Sequence, residues 1–446
     1  MLFPFFAQNL CMYKKKLSLL VVAVVLCQLI QAQYLMDMVD TTKDMGKGML
    51  SLYSRFDNIR LSGYIQPQYQ VSQSKGAKGF AGGDFAANSN NRFMLRRARV
   101  RFDYINFPKT GNGPSLQFVF QFDATERGVN VRDVWGRISE NKFKLFAFTT
   151  GLFARPFSYE LNLSSGDRES PERGRMSQIL MKTERDMGAM ITFEARKKNT
   201  QLKFLKVDIG IFNGPGLSSL TDYDSHKDII GRVTIKPQLI AKNITLGAAA
   251  SVLYGGLSQN TKYVYATQTI NGSKNFIVDS SERNLQKIAP RKYYGLDAQL
   301  KIKNKVGYTE FRVEYITGKQ TASAISSETP GISFTGNDGY YVRKFNGAYF
   351  YFLQHLGSTH HQIGIKYDWY DPNTDVKGND IGKAGNNINA ANIKYTTLGF
   401  GYIYYISENA KLVLWYDKIT NEKTALPGYS GNVKDDVFTC RLQFRF

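Results

Sequence analysis

The sequence has few cysteines and lacks the repeated apolar runs of a helical membrane protein. Of its three cysteines, only Cys440 lies beyond residue 32, so that part of the chain cannot form an intramolecular disulfide. The only long apolar run lies within the first 32 residues, which excludes a bundle of membrane-spanning helices. Stability must therefore come from backbone pairing and from the size of the fold.

Acidic residues are also scarce. The chain has 37 Asp and Glu against 58 Lys and Arg, which gives a net charge of +21. Such a balance points to nucleic acid, to an anionic membrane surface or to small anions in a channel. Aromatic residues are plentiful at 13%, beside 39 Gly and 12 Pro, and 43% of the chain is hydrophobic. This composition excludes disorder and fits a soluble β protein or a transmembrane β-barrel.

The first 32 residues have the layout of a secretory signal peptide. Three lysines at 14–16 precede an apolar stretch at 17–30, and Ala32 provides a small residue for cleavage before Gln33. We therefore expect residues 1–32 to be a signal peptide and the remainder to be exported. Export argues against nucleic acid as a partner.

Residues 33–58 follow a different pattern. Apolar residues recur at alternating steps of three and four, with one polar threonine among them, at Leu35, Met38, Thr42, Met45, Met49, Leu52 and Phe56. This spacing predicts a short periplasmic heptad helix. The helix either packs on its own chain or joins copies of the chain into an oligomer.

From Ile59 onward the apolar period changes from 3.5 to 2, which is typical of half-buried β-strands. One example is the stretch 97–104, in which arginines alternate with Ala98, Val100 and Phe102. The pattern predicts sixteen strands, at about 59–71, 93–104, 115–123, 131–138, 143–153, 186–196, 201–212, 227–237, 242–254, 291–303, 306–317, 341–353, 360–370, 393–406, 410–420 and 436–446.

The connections between these strands alternate between short and long. Tight turns at 139–142, 197–200, 304–305 and 407–409 separate long connections at 72–92, 154–185, 255–290, 318–340 and 371–392. A soluble sandwich has no reason to collect its short turns at one end, whereas outer-membrane barrels do so and have an even number of strands. We therefore expect an all-β fold: a transmembrane antiparallel β-barrel of about sixteen strands over 59–446.

Several strings resemble the phosphate-selective porin O and P family, in particular its Bacteroidetes-type outer-membrane branch. They are 96–102 (RRARVRF), 151–157 (GLFARPF) with Glu160, 184–188 (ERDMG), 210–216 (GIFNGPG), 343–347 (RKFNG) and 367–372 (YDWYDP). The resemblance implies a homotrimeric porin of sixteen strands. It also implies a constriction loop at about 154–185 that folds into the barrel.

That constriction loop carries five arginines, namely Arg155, Arg168, Arg173, Arg175 and Arg185. It also carries five acids, namely Glu160, Asp167, Glu169, Glu172 and Glu184. In one interpretation these groups pair with one another and hold the loop against the wall. In the other, some guanidinium groups remain free at the constriction and contact passing anions.

A second set of basic residues falls on the predicted lumen face. Arg97, Arg99 and Arg101 point to one side at period 2, and the same counting adds Arg60, Arg232, Lys236, Arg441 and Arg445. Arginine suits phosphate and carboxylate because its planar fork donates two parallel hydrogen bonds. These residues are the predicted anion pathway. The alternative is that they pair with acids such as Asp103, Asp123, Glu310 and Glu314.

No sequence signal for catalysis, a metal or a cofactor stands out: the chain has four histidines and no phosphate-binding or dinucleotide motif. We expect a porin in a Gram-negative outer membrane, contacting lipid and lipopolysaccharide, that passes small hydrophilic solutes with a preference for anions. A general, non-selective porin is the first alternative. A barrel that acts as a surface receptor or adhesin through its long loops is the second.

Overall fold

The computed structural model describes residues 58–108, 113–197, 200–219 and 221–446. The predicted signal peptide and, apart from Asn58, the predicted heptad helix lie outside these residues. Among the helices in the described part of the chain, none is long and apolar enough to cross a membrane.

Strands dominate the described residues. They are β1 (Ile59–Ser72), β2 (Asn91–Asn106), β3 (Ser115–Thr125), β4 (Gly128–Ser139), β5 (Phe146–Ala154), β6 (Arg185–Glu194), β7 (Leu205–Phe212), β8 (Asp228–Ala241), β9 (Ile244–Ser258), β10 (Val264–Ile270), β11 (Ser273–Asp279), β12 (Ile288–Asn304), β13 (Gly307–Ala322), β14 (Tyr340–Leu356), β15 (Ser358–Asp371), β16 (Tyr395–Ser407), β17 (Ala410–Asn421) and β18 (Val437–Arg445). The α-helices are α1 (Tyr159–Asn162) and α2 (Arg175–Leu180), and short 3₁₀ turns lie at Gln201–Phe204, Gly216–Ser218, Glu282–Asn284, Gly378–Asp380 and Ala390–Asn392.

Sixteen of these strands form one closed antiparallel barrel. β1 to β9 pair in chain order, β9 then pairs with β12, β12 to β18 continue in order, and β18 pairs with β1. Tyr69 lies opposite Cys440 in the closing pair, and Ala248 lies opposite Ala298 where β9 meets β12. The predicted fold is confirmed, and each of the sixteen predicted strands overlaps a barrel strand.

The two additional strands correct the prediction of a plain loop at 255–290. β10 and β11 form a hairpin there, and the start of β10 pairs in parallel with β14, with Val264 opposite Tyr340. The hairpin turns at Asn271-Gly272, where both residues have positive φ. Asn-Gly is the dipeptide that favours a two-residue hairpin turn, so this sequence signal was present and was missed.

Side chains on the barrel strands reverse the usual pattern of a soluble protein. On β13 the charged residues Glu310, Arg312 and Glu314 are buried, whereas Phe311 and Tyr315, at alternate positions from them, are exposed. Successive residues of a strand point to opposite faces, so the charged set faces the lumen and the aromatic set faces outward. The outer surface is therefore an apolar belt around a polar interior.

The strand connections place short turns at one end of the barrel and long loops at the other. The short-turn end includes the connections 242–243, 305–306 and 408–409. The long-loop end carries the connections 73–90, 155–184, 213–227, 259–287, 323–339, 372–394 and 422–436. The turn at 126–127 between β3 and β4 is a short connection at the long-loop end.

The connection 155–184, called the inner loop from here on, packs against the inside of the barrel wall. Its residues Phe157, Leu161 and Met176 are buried in one apolar cluster with inward side chains such as Phe212 on β7 and Tyr293 on β12. Each fully buried side chain of this size contributes roughly 1.5–3 kcal/mol. The inner loop is therefore held to one side of the lumen by an apolar core.

Gly151 on β5 is required by the close approach of β4. Its φ of +121° disfavours any side chain, and a Cβ atom there would lie 2.8 Å from the Cα of Trp135. We expect Gly151→Ala to reduce the free energy of unfolding by about 1–3 kcal/mol. The midpoint of urea unfolding, followed by the gel shift of the folded barrel, measures this loss.

Gly431→Ala is the matched control, because a Cβ atom at Gly431 meets nothing within 4 Å. Equal unfolding midpoints for the two variants would contradict the assigned contact between β5 and β4.

Candidate functional site

The lumen holds two cavities beside the inner loop. The first, called the long-loop chamber, has a volume of about 670 Å³ and lies between the connection 73–90 and the inner loop. The second, called the short-turn cavity, has a volume of about 410 Å³ and is lined by the start of β1 and the end of β18. Arg97 lines the chamber, and Arg99, two residues further along β2, lines the cavity. The two spaces are thus separated by a thin layer of side chains.

Part of that layer comes from the inner loop, which reaches across to the strands that close the barrel. Gln66 of β1 donates to the backbone carbonyl of Ser165 at 2.9 Å. Lys411 of β17 and Gln443 of β18 donate to the carbonyl of Gly166 at 3.1 and 2.9 Å. Because the carbonyls accept from three different strands, this part of the loop is fixed in position.

Glu172 of the inner loop is held by three arginines. Arg96 donates from Nε and Nη2 at 2.8 and 3.1 Å, Arg97 from Nη2 at 2.7 Å, and Arg441 of β18 from Nη2 at 2.8 Å. Burial would raise the pKa of Glu172, but the three guanidinium groups outweigh it and hold the pKa well below its usual range. The carboxylate is therefore ionised and ties the inner loop to β2 and β18.

Glu184 forms a second cluster of the same kind at the end of the inner loop. Arg132 donates to its Oε2 at 3.1 Å, Arg185 lies 3.4 Å from the same atom, and Arg173 pairs with Oε1. Burial would raise the pKa of Glu184, and the surrounding arginines instead lower it well below its usual range. Asp133 is a further acid beside this cluster, 3.2 Å from Arg185.

The three predicted arginines of β2 all reach polar partners on the lumen side. Arg97 binds Glu172, Arg99 binds Asp123 at 2.9 Å, and Arg101 binds Asp103 at 2.6 Å. Both aspartates are among the partners that the alternative interpretation proposed. The structure therefore brings this row into ion pairs, while Arg99 and Arg101 still line the short-turn cavity.

The other predicted wall residues are spread around the barrel. Arg441 belongs to the Glu172 cluster, Arg445 pairs with Asp167 of the inner loop, and Arg60 is exposed near the start of β1. Arg232 pairs with Asp297 at 2.7 Å and Lys236 with Glu194 at 3.0 Å, and neither basic residue lines the two cavities. The structure thus gathers only part of the predicted set around one path.

The arginines predicted on the inner loop divide into paired and unpaired groups. Arg173 and Arg185 join the Glu184 cluster, and Arg155 lies 3.7 Å from Asp186. Arg175 makes no ion pair with the described residues, and its guanidinium lies 3.5 Å from the ring centre of Tyr395. Arg168 is 3% exposed, and none of its three side-chain nitrogens has a hydrogen-bond partner among the described residues.

Two arginines at the site were not among the predicted residues. Arg96 precedes the alternating row of β2 and by counting belongs to the outer face, yet it binds Glu172. Arg132 is the extra residue at a register shift between β3 and β4, where Phe122 pairs with Val131 and Gln121 with Asp133, and it binds Glu184. A β-bulge redirects side chains in this way, and alternation alone does not reveal it.

Basic residues outnumber acidic ones along both spaces. The short-turn cavity is lined by five arginines and one aspartate, and the long-loop chamber by seven basic and five acidic residues. Fixed guanidinium groups in a narrow, partly dehydrated space attract anions and repel cations. The arrangement is therefore suited to guiding small anions through the layer between the two spaces.

The comparisons with known proteins support the fold. The chain matches no protein-family model and no curated protein sequence. Among solved structures it is similar to Pseudomonas putida OprB at high pH, with a TM-score of 0.54 and 8% identity over 91% of this chain and 98% of that one. It is also similar to the outer membrane channel DcaP of Acinetobacter baumannii, with a TM-score of 0.51 and 11% identity over 87% and 97%.

The Glu172 cluster generates a prediction about stability. Glu172→Gln leaves Arg96, Arg97 and Arg441 facing one another without their shared carboxylate. Removing one partner of a buried ion pair costs about 3–5 kcal/mol, because the remaining charge is left uncompensated. We expect a loss of this size in the free energy of unfolding, measured by urea titration of the purified barrel.

Asp103→Asn is the control, because Asp103 pairs with the more exposed Arg101 at the rim of the short-turn cavity. If the loss for Glu172→Gln did not exceed that for the control, the cluster would not be the main tie of the inner loop.

Proposed function

We propose that this protein is an outer-membrane porin that passes small hydrophilic solutes by passive diffusion and prefers anions. A closed barrel with an apolar outer belt and a polar lumen is the form in which strands cross a membrane. The observation that carries the anion preference is the short-turn cavity, with its five arginines and one aspartate.

The proposal includes the setting and the assembly. The protein would reside in a Gram-negative outer membrane, with its long loops outside and its apolar belt in contact with lipid and lipopolysaccharide. It would form a homotrimer, and its solutes would be phosphate or similar small anions. The family resemblance of six local strings supports these points, and the lumen arginines supply the forked donors that such anions accept.

The anion preference is measured by the zero-current potential of the purified protein in a planar bilayer across a potassium chloride gradient. We expect a potential of the anion-selective sign, because fixed positive charge raises the local chloride concentration. Replacing Arg97, Arg99 and Arg101 together with Gln should lower the chloride-to-potassium permeability ratio roughly threefold or more. High salt should reduce the difference in permeability ratio between the unaltered protein and the variant, because dissolved ions screen the fixed charges.

Arg127→Gln is the matched control, because Arg127 is exposed at the turn between β3 and β4 and lines neither cavity. A potential near zero in the unaltered protein would favour a general porin whose arginines are neutralised by pairing. Absence of conductance would favour a surface receptor or adhesin.

Asp435 makes the proposed preference dependent on pH. This carboxyl group lies in the long-loop chamber, where burial raises its pKa to about 6 against the opposing effect of Arg175. Below pH 6 it is protonated and neutral, and above pH 6 it adds a negative charge beside Arg175. We expect the anion-selective potential to increase as pH falls from 7.5 to 5, with a midpoint at about 6.

The same titration on Asp435→Asn isolates this group. The variant should keep the stronger anion potential across the whole range, because its side chain carries no charge at any of these pH values. An unchanged midpoint in the variant would assign the titration to another group.

A further inference from the structure

The long-loop chamber is larger than a single inorganic anion requires. Its volume of about 670 Å³ lies within the range of roughly 300–1,000 Å³ that is typical of small-molecule sites. One water molecule takes up about 30 Å³ of liquid, so an ion of a few atoms would leave most of the chamber to solvent. The dimensions suit a solute with a ring or a longer chain.

Arg168 provides an unused set of hydrogen-bond donors in the chamber wall. It is 3% exposed, and its Nε, Nη1 and Nη2 atoms have no partner among the described residues. Nearby Arg97, in contrast, donates to Glu172 and to Gln66. A buried charged group without partners is costly, and an anionic oxygen group would satisfy two of its N–H groups at once.

The chamber wall also carries aromatic side chains. The guanidinium of Arg175 lies between the rings of Tyr395 and Phe80, at 3.5 and 4.7 Å from their centres, and Tyr429 lines the same space. Arg175 covers one face of Phe80 and one face of Tyr395, so a solute ring would meet these aromatic side chains by edge and apolar contact. The wall thus offers two kinds of contact to one solute.

The charge of the wall favours an anion over a neutral or cationic solute. Its seven basic residues exceed its five acidic ones by two, and Glu172 and Asp435 are among the acids. The carboxylate of Glu172 is held by arginines of the same wall, which shows that their geometry fits this group. The preference for a carboxylate therefore rests on this fit and on the aromatic lining, because a surplus of two positive charges attracts a monoanion and a dianion alike.

We propose that the long-loop chamber binds a ring-bearing carboxylate before it passes the layer below, with its carboxylate on Arg168 and its ring against Phe80, Tyr395 and Tyr429. This inference rests on the proposed porin function and adds a solute class to the small anions proposed above. Arg168 is then the residue that selects for the carboxylate. Small anions such as phosphate have no apolar face for the rings to contact, so they pass the chamber without being held there.

The test measures how added solutes block the chloride current of the full-length protein in a planar bilayer. The probes are benzoate and glucuronate, which have both a ring and a carboxylate. The comparison solutes are acetate and inorganic phosphate, which are anions without a ring, and glucose, which has a ring without a charge. Each is added at the long-loop side. We expect at least one ring carboxylate to half-block the current at a concentration about tenfold or more below those of acetate, phosphate and glucose. Comparing benzoate with glucuronate shows whether the chamber prefers an aromatic ring or a sugar ring.

Two variants assign that block to the chamber. Arg168→Gln should raise the half-blocking concentration of the ring carboxylate about tenfold or more, because a neutral amide replaces the charged fork. Phe80→Leu should raise the half-blocking concentration of the ring carboxylate, while that of acetate should change little. Arg283→Gln, an exposed arginine outside the chamber, should leave the block unchanged. If Arg168→Gln does not yield a folded barrel, Arg168→Lys keeps the charge and should still weaken the block.

Equal blocking concentrations for benzoate, glucuronate, acetate and phosphate would overturn the proposal, as would an unchanged block in a folded Arg168 variant. The zero-current potential in the same preparation separates this result from the porin proposal. An anion-selective channel without a ring-specific block refutes only the chamber site. A ring-specific block without anion selectivity supports the chamber site and refutes the general anion preference.

Discussion

The pairing of β18 with β1 closes a ring in which no strand has a free edge, and the rest of the structure depends on that closure. In a closed ring, successive side chains of a strand point alternately to the outer surface and into the lumen. Phe311 and Tyr315 go outward, and Glu310, Arg312 and Glu314 between and beside them go inward. Charged groups that a soluble protein would expose are thereby enclosed together, and their electrostatics become the main property of the interior.

Enclosed charges need partners, and the inner loop supplies many of them. Glu172 and Glu184 each bind three arginines, and Glu169 binds Arg312 of β13 at 2.7 Å. These acids, with Asp123, Asp133 and Glu310 of the wall, offset the desolvation of the guanidinium groups, yet they are fewer than the arginines they pair with. The same contacts that hold the loop therefore leave a surplus of positive charge, which is the basis of the proposed anion preference.

The lumen has an apolar side and a charged side. On one side, Phe157, Met176 and their strand neighbours form an apolar core that keeps the inner loop in place. On the other side lie the two cavities and the charged layer between them. Because the apolar core fixes the inner loop in place, the loop arginines on the charged side have defined positions, as the binding proposal for the long-loop chamber requires.

Alternation and turn spacing by themselves determined the strands, their number and the end of the barrel at which the long loops lie, because these features depend on residues close together in the chain. The hairpin at Asn271-Gly272 was equally readable and was overlooked. Only the tertiary structure decided the charge partners. Glu172 meets Arg96 and Arg97 across about 75 residues and Arg441 across 269, and the register shift at Arg132 changes which way that side chain points. Such contacts depend on where a folded loop crosses the lumen, and no local pattern encodes that position.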